Sequence, residues 1–357
     1  MLPCDHHSLP FSCLFSKERN FDFDPIQEQV NGNIFGFQIP ESRKMIKFVG
    51  KTTRGSAVPR NLSNFSTLLE DSFADLRTQD TDADWNMSSL DQLANKTLFQ
   101  TIFNSIFGSD KASPDFNYKL FHDNFHTFHK YFSYLWLGLP HCFFPEATKA
   151  VSKLFAQPTP SQFMQSDCTS EYLKAAIEYL KGYDMSDQEI KCHNLVFLHI
   201  NINTFKIATW CLYQLMANKA AMSAVREEID QLIEANAEEQ NADGEVAISS
   251  KDIEGMKILG NCSFIQMKSS VFIISLDLFD NRTVTFTDSL VNETFRMSSG
   301  VFMIRHNQQD VNFTVASTNE TYKIRAGDKV MMYPPAIHKD PEIFEEPEVS
   351  IAYQSRK

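Results

Sequence analysis

The stretch that decides the fold is "LVNETFRMSSG", residues 290–300, which places Glu293 three residues before Arg296. Side chains three residues apart lie on one face of an α-helix, so these two can form an ion pair. On an exposed helix such a pair contributes only roughly 0.2–0.5 kcal/mol. The spacing alone therefore leaves two interpretations open, a surface ion pair or the buried anchor of a larger site.

The residues that follow favour the anchor. "MSSGVFMIRH" leads out of the helix and places Arg305 after an apolar run. Residues 311–335 then alternate as strands do, with "TNE" and "AGD" as turns. The next block, "YPPAIHKDPEIFEEPEV" (333–349), is dense in residues that form turns and caps. Its members of this kind are Pro334, Pro335, His338, Asp340, Pro341 and Phe344.

The composition argues against several classes of function. Twelve Gly in 357 residues are few for a glycine-rich phosphate-binding fold, and the chain has no P-loop, GxGxxG or GxSxG motif. A formal net charge of −12 without a basic stripe makes a nucleic-acid partner an unfavourable interpretation. Seven widely spaced Cys without a CxxC favour a reducing compartment over a disulfide framework. No apolar run reaches the roughly 18 residues of a membrane span, and the N-terminus lacks the order of a signal peptide.

Helical periodicity dominates the chain until its last hundred or so residues. Residues 1–60 read as irregular, and Asn61 or Ser63 could cap the first helix. Residues 186–219 are apolar nearly all round, which predicts a helix about 45 Å long inside a large core. Residues 269–287 and 311–335 look like strands. The prediction is a mainly α chain with a small, late β portion (α+β) in one large domain. The main predicted helices span 61–77, 90–107, 115–134, 145–156, 168–182 and 186–219, and a surface helix follows the last of them.

Three histidines on one predicted helix are a candidate metal site. "FHDNFHTFHKYF" places His122, His126 and His129 at positions i, i+4 and i+7, on one helix face. The residues between them are aromatic, and no Glu stands where a zinc protease needs one. Ordinary packing is the favoured interpretation, and no metal site is assigned. "CDHHSLPFSC" near the start of the chain is a weaker candidate.

The order of an ExxR helix, a short β hairpin and "HKDPEIF" resembles the cytochrome P-450 superfamily. The nearest resemblance is to the branch of cholesterol 7α-hydroxylase, sterol 12α-hydroxylase and prostacyclin synthase. "NFHTFHKYFSYLWLGLP" resembles the lid helix of that branch, and "CHNLVFLHININTFKIATW" resembles its distal haem helix. "NETFRMSSGVFMIR" resembles its ExxR helix and the strand that follows. The resemblance covers roughly residues 15–259 and 288–349.

The resemblance implies a haem-dependent monooxygenase-type oxidoreductase with a sterol or lipid substrate. Arg305 would pair with a haem propionate, while Asn203 and Thr204 would line the distal side of the haem. Glu293 and Arg296 would be a buried structural pair. The resemblance also implies an NADPH-dependent reductase as partner and the cytosolic face of the endoplasmic reticulum membrane, although the sequence shows no anchor segment.

The chain departs from the family pattern in three places. The family holds its iron by a Cys in an F-x-x-G-x-x-x-C-x-G loop, and none of the seven Cys lies in such a loop. Residues 260–287 read as an insertion, and 350–357 as a non-matching tail of a partial domain spanning 1–349.

We therefore expect the chain to be inactive as given. The alternatives are a non-catalytic fragment, or an endoperoxide isomerase of the prostacyclin-synthase kind. A weaker alternative is a helical protein that binds an apolar ligand between long helices.

Overall fold

A computed structural model describes ten parts of the chain, namely residues 20–39, 41–54, 57–79, 88–108, 116, 118–236, 290–298, 302–315, 319–344 and 346–348. These parts are mostly helical with a few short antiparallel strands, which confirms the predicted fold class. The expected insertion at 260–287, the tail at 350–357 and the strand-like stretch 269–287 lie outside the described residues.

The described helices are numbered in chain order. They are α1 (Asp24–Phe35), α2 (Ser42–Val49), α3 (Ala57–Gln79), α4 (Leu90–Phe107), α5 (Tyr118–His129), α6 (Phe132–Trp136), α7 (Pro145–Leu154), α8 (Pro160–Gln165), α9 (Glu171–Lys181), α10 (Asp187–Ala217), α11 (Lys219–Ala235), α12 (Leu290–Ser298) and α13 (Pro334–His338). Short 3₁₀ turns lie at Gly50–Thr52 and His141–Phe143.

The long helix α10 begins at a capping box. The Ser186 hydroxyl accepts from the Glu189 backbone N–H, and the Glu189 carboxylate accepts from the Ser186 N–H, so two unpaired donors at the helix start are satisfied. Residues 192–198 are all buried. Towards the C-terminus, however, Trp210, Tyr213 and Met216 are 47%, 51% and 64% exposed. The prediction that this helix is buried all round is therefore wrong for its described C-terminal part.

The core is built largely from phenylalanine rings on α4 and α5. Phe99, Phe125 and Phe128 are fully buried and face one another at ring-centroid distances near 6 Å, such as 6.1 Å from Phe99 to Phe125. Their spacing on each helix follows the 3.6-residue period, so each helix presents one aromatic face. The buried face of α10 completes this cluster through Leu195 and Phe197.

Four short strands follow α12 and, with one strand from the start of the chain, form two small antiparallel sheets. Strand β2 (Met303–Asn307) lies between β1 (Phe21–Asp22) and β5 (Lys329–Met332), with Arg305 opposite Val330. Strands β3 (Val311–Val315) and β4 (Glu320–Ile324) form a separate hairpin. The Asn307 side chain, fully buried, donates to the Ile324 and Arg325 carbonyls and so holds the base of this hairpin against β2.

Three sequence-based expectations are wrong in detail. The segment 24–49 is not irregular but carries α1 and α2. Helix α3 begins at Ala57, so neither Asn61 nor Ser63 caps it, and Asn61 instead donates to the Thr52 carbonyl. The helix predicted over 115–134 is two helices, because the chain tightens between α5 and α6 into short i→i−3 bonds such as that from the Tyr131 N–H to the Phe128 carbonyl.

Candidate functional site

The candidate site is centred on the ion pair of α12. Arg296 binds Glu293 with two bonds, from Nε to Oε2 at 2.8 Å and from Nη2 to Oε1 at 2.7 Å. This fork-to-carboxylate geometry is stronger and more directional than a single contact between the charges. The two side chains are only 7% and 10% exposed. The pair is therefore a buried one, and the interpretation as a surface ion pair is wrong.

The remaining donors of Arg296 reach the segment that follows the sheets. Nη1 donates to the carbonyl of His338 at 2.6 Å and to that of Pro347 at 2.7 Å. The guanidinium also lies over the ring of Phe344, 5.0 Å from its centroid. A buried ion pair is tolerable only when further hydrogen bonds satisfy its polar atoms. Here backbone carbonyls of 338–347 supply them, so α12 is tied to this segment through one side chain.

The burial pattern of α12 is the reverse of an ordinary amphipathic helix. Glu293, Thr294 and Arg296 are buried, while the neighbouring Phe295 is 40% exposed. A packing helix normally hides its aromatic residue and exposes its charges. Thr294 faces α10, where it forms a side-chain hydrogen bond with Cys211. The polar face of α12 thus points inward, between α10 and α13.

Arg305, which sequence analysis assigned to a cofactor, lies on the central strand β2. Its side chain is buried, with Nη1 donating to the Ile304 carbonyl at 2.9 Å and the guanidinium 5.4 Å from the centroid of the Phe23 ring. Burial lowers the pKa of Arg305, against the opposing effect of Asp22. A cation desolvated in this way gains from an anionic group, because such a group favours the charged form.

Asn203 and Thr204 lie in the middle of α10, as predicted for the distal helix. Their side chains lie outside the described residues, so their predicted role beside a cofactor stays a prediction. Helix α12 packs against α10, which places the ion pair and the long helix in one unit.

The three histidines of α5 are found with a fourth that sequence analysis did not single out. The ring centroids of His122 and His126 are 4.3 Å apart, and those of His129 and His199 of α10 are 5.4 Å apart. In the described part of the chain no group of three or more His, Cys, Asp or Glu is arranged to hold a metal ion. The pKa values of His129 and His199 are lowered to about 4 and about 3, mainly by burial.

Comparison with known proteins agrees with this geometry. A family model described as Cytochrome P450 matches residues 275–349, the part that holds the ion pair, strands β2 to β5 and the 334–348 segment. The chain is similar in sequence to the cytochromes P450. The match begins inside the stretch 260–287, and the predicted domain boundaries stay a prediction.

Curated P450 relatives come from the predicted branch. The chain is 26% identical over 270 residues to 25-hydroxycholesterol 7-alpha-hydroxylase of Rattus norvegicus, covering 74% of this chain and 57% of the relative. It is 25% identical to Cytochrome P450 7A1 of the same species, covering 74% and 48%. Prostacyclin synthase of Rattus norvegicus is 24% identical, covering 57% and 35%. The chain thus spans about half the length of the curated relatives it matches.

Similarity to the cytochromes P450 suggests haem, and the described side chains fit it only in part. The buried guanidinium of Arg305 suits an anionic propionate. The described thiols, by contrast, do not suit an axial thiolate. Burial raises the pKa of Cys192 to about 11 and also raises that of Cys211, which disfavours the thiolate form. Cys142 and Cys168 lie exposed on the surface.

None of the described helices is long and apolar enough to cross a membrane.

Sequence analysis missed the acceptors of the site. The carbonyls of His338 and Pro347 are backbone atoms, so no residue type announces them. Thr294 and His199 are side chains whose roles depend on which helix lies opposite. The "HKDPEIF" block was the available signal for these acceptors. It indicated the segment that Arg296 contacts, but not which backbone carbonyls accept the hydrogen bonds.

Proposed function

We propose that the chain belongs to a haem-dependent monooxygenase-type oxidoreductase that acts on a sterol or related lipid. The observation that carries the proposal is the buried Glu293–Arg296 pair, whose guanidinium also binds the carbonyls of His338 and Pro347. The substrate class is supported by relatives named as hydroxylases of 25-hydroxycholesterol and cholesterol. Because the chain spans about half of these relatives, this is a proposal for the whole enzyme.

In this proposal each site residue has a structural or positioning role. Glu293 and Arg296 hold α12 against the 334–348 segment, and Arg305 pairs with a haem propionate as a charge-assisted bond. Asn203 and Thr204 line the distal side. Haem, when bound, supplies the oxygen chemistry. The electrons would come from an NADPH-dependent reductase at the cytosolic face of the endoplasmic reticulum membrane.

The donor set supports a second proposal, that these 357 residues by themselves are non-catalytic. A haem thiolate needs a cysteine that ionises readily, and the helical thiols Cys192 and Cys211 have raised pKa values. No step through the haem is therefore assigned to this chain.

We expect the purified chain, mixed with haemin, reduced and exposed to carbon monoxide, to give no thiolate-type Soret band. The reason is that neither described helical thiol ionises near neutral pH. The measurement is a difference spectrum, with rat 25-hydroxycholesterol 7-alpha-hydroxylase as the positive control. A thiolate-type band from the chain would contradict the non-catalytic proposal, and single Cys→Ser variants would then identify the ligand.

An endoperoxide isomerase of the prostacyclin-synthase kind is the less supported alternative. The sterol hydroxylase relatives match 74% of this chain, whereas prostacyclin synthase matches 57%. Dependence of turnover on an added reductase separates the two, because an isomerisation consumes no electrons.

A further inference from the structure

Helix α5 packs against α10 through a small set of aromatic rings. The ring centroid of His199, on α10, lies 3.8 Å from that of Phe132 on α6. It lies 5.4 Å from the ring centroid of His129 and 6.4 Å from that of Phe125, both on α5. Phe35 of α1 lies 6.4 Å away. One imidazole therefore touches three other helices. Its protonation would place a charge in the middle of their joint packing.

The surroundings of this imidazole favour the neutral form. Nδ1 of His199 is buried and has no hydrogen-bond partner among the described residues. The largest cause of the lowered pKa of His199 is burial, followed by His129 and then Lys206. For His129 the order is burial, Lys206 and His126. The titratable groups that act on the pair are thus another histidine or the Lys206 cation, and each of them disfavours a proton on His129 or His199.

The carboxylates near the cluster act on His122 and His126, and a cation acts on the pair. On α5, Asp123 lies 3.2 Å from His122 and also acts on His126, and Asp91 of α4 acts on His126 as well. Helix α10 contributes the cation Lys206. Helices α1 and α6 contribute uncharged rings, those of Phe35 and Phe132. Within the described residues, no carboxylate is among the groups that stabilise a proton on His129 or His199.

We propose that the His129–His199 contact is an acid-sensitive latch, which holds α5 and α6 against α10 at neutral pH and releases them when the pair takes up protons. The inference uses only this cluster and does not rest on the proposed function. A chain that binds no haem can still show it.

The sign follows from the two states of the latch. Released and hydrated, each imidazole would return to an ordinary pKa near 6.5. Packed, the two values are about 4 and about 3. Above about pH 6.5 both states are neutral and the latch is unaffected. Between pH 6.5 and 4 the released state binds more protons, so acid favours release, by about thirtyfold for each histidine at pH 5. Solvent screening of these half-buried rings makes that factor an upper limit. The face of Phe132 also offsets part of it, by attracting a protonated His199.

The test is amide hydrogen exchange of residues 125–136 at pH 7.5 and pH 5.0, corrected for the intrinsic rates. His129→Phe combined with His199→Phe keeps an aromatic ring at both positions and removes the proton sites. His122→Phe, on the same helix, is the matched control. Residues 171–181 of α9 report loosening of the whole fold. Acid is expected to cause some of this loosening through buried His193 of α10, because burial lowers the pKa of His193 to about 4.

We expect the protection of residues 125–136 to fall about tenfold to thirtyfold more than that of α9 at pH 5, in the unaltered chain and in His122→Phe. In the double variant the two segments should stay within about threefold of each other. An equal loss in the double variant, or no selective loss in the unaltered chain, would overturn the proposal.

A second measurement does not need the double variant to fold. In the unaltered chain with ¹³C-labelled histidine, the packed rings of His129 and His199 should resist protonation until residues 125–136 begin to exchange. Titration of either ring near pH 6.5, with exchange protection unchanged, would overturn the latch.

Discussion

Replacing Arg296 by Ala should destabilise the chain by about 3–5 kcal/mol, the range for breaking one side of a buried ion pair. The Glu293 carboxylate would remain buried without the guanidinium, and the carbonyls of His338 and Pro347 would lose their donor. The free energy of unfolding, from chemical denaturation followed by circular dichroism, is the measurement.

The matched control is Lys174→Ala in α9. Lys174 also pairs with a Glu three residues earlier, Glu171, but by one contact at 3.7 Å, with the Lys side chain 19% and the Glu side chain 60% exposed. A single contact with one solvent-exposed partner contributes about 0–1 kcal/mol. If Arg296→Ala cost no more than Lys174→Ala, the Glu293–Arg296 pair would behave as a surface ion pair and the buried site would be refuted.

Replacing Phe128 by Ala should cost about 3–5 kcal/mol, because a fully buried aromatic ring leaves a cavity that the core fills only partly. Phe128 is 0% exposed and contacts the rings of Phe35, Phe125 and Phe132 on three helices. The measurement is again the free energy of unfolding.

Phe143→Ala is the control for this core position. Phe143 lies in the 3₁₀ turn His141–Phe143 and is 67% exposed, so its loss should change the unfolding free energy by less than about 0.5 kcal/mol. Equal effects at Phe128 and Phe143 would show that the aromatic cluster of α4, α5 and α10 is not the core of the folded chain.

The helices could be predicted where local pattern and tertiary packing agree. Helix α4 spans Leu90–Phe107, as its periodicity indicated, and α10 begins after the capping box at Ser186. Helix α1 was missed although its signals were present, since Pro25 lies in its first turn and Gly36 ends it with φ 74°. Those local signals were passed over in a region of scattered Pro and Gly.

The rest of the fold depends on partners far away in the chain. Strand β1 has only two residues, and it exists because Phe21 and Asp22 pair with Asn307 and His306. The break between α5 and α6 has no Pro or Gly to announce it. Contacts of this kind are absent from any local pattern, so a single sequence does not reveal them.

The candidate site was predictable in its residue types and not in its contacts. The i,i+3 spacing and the later "HKDPEIF" block were enough to single out Glu293 and Arg296. Their burial could not be predicted from the usual pattern of an amphipathic helix, because α12 buries its charged residues and exposes Phe295. Inverted patterns of this kind are expected at functional or strained sites.

The most direct test of the central claim, that Arg296 ties α12 to the 334–348 segment, is amide exchange in Arg296→Lys. Lysine keeps the charge but lacks the planar fork that serves a carboxylate and two carbonyls at once. We predict that the amides of Lys339 and Phe344, which donate to the Pro335 and Asp340 carbonyls, lose at least about tenfold protection while α9 stays unchanged. Unchanged protection at both amides would contradict the account.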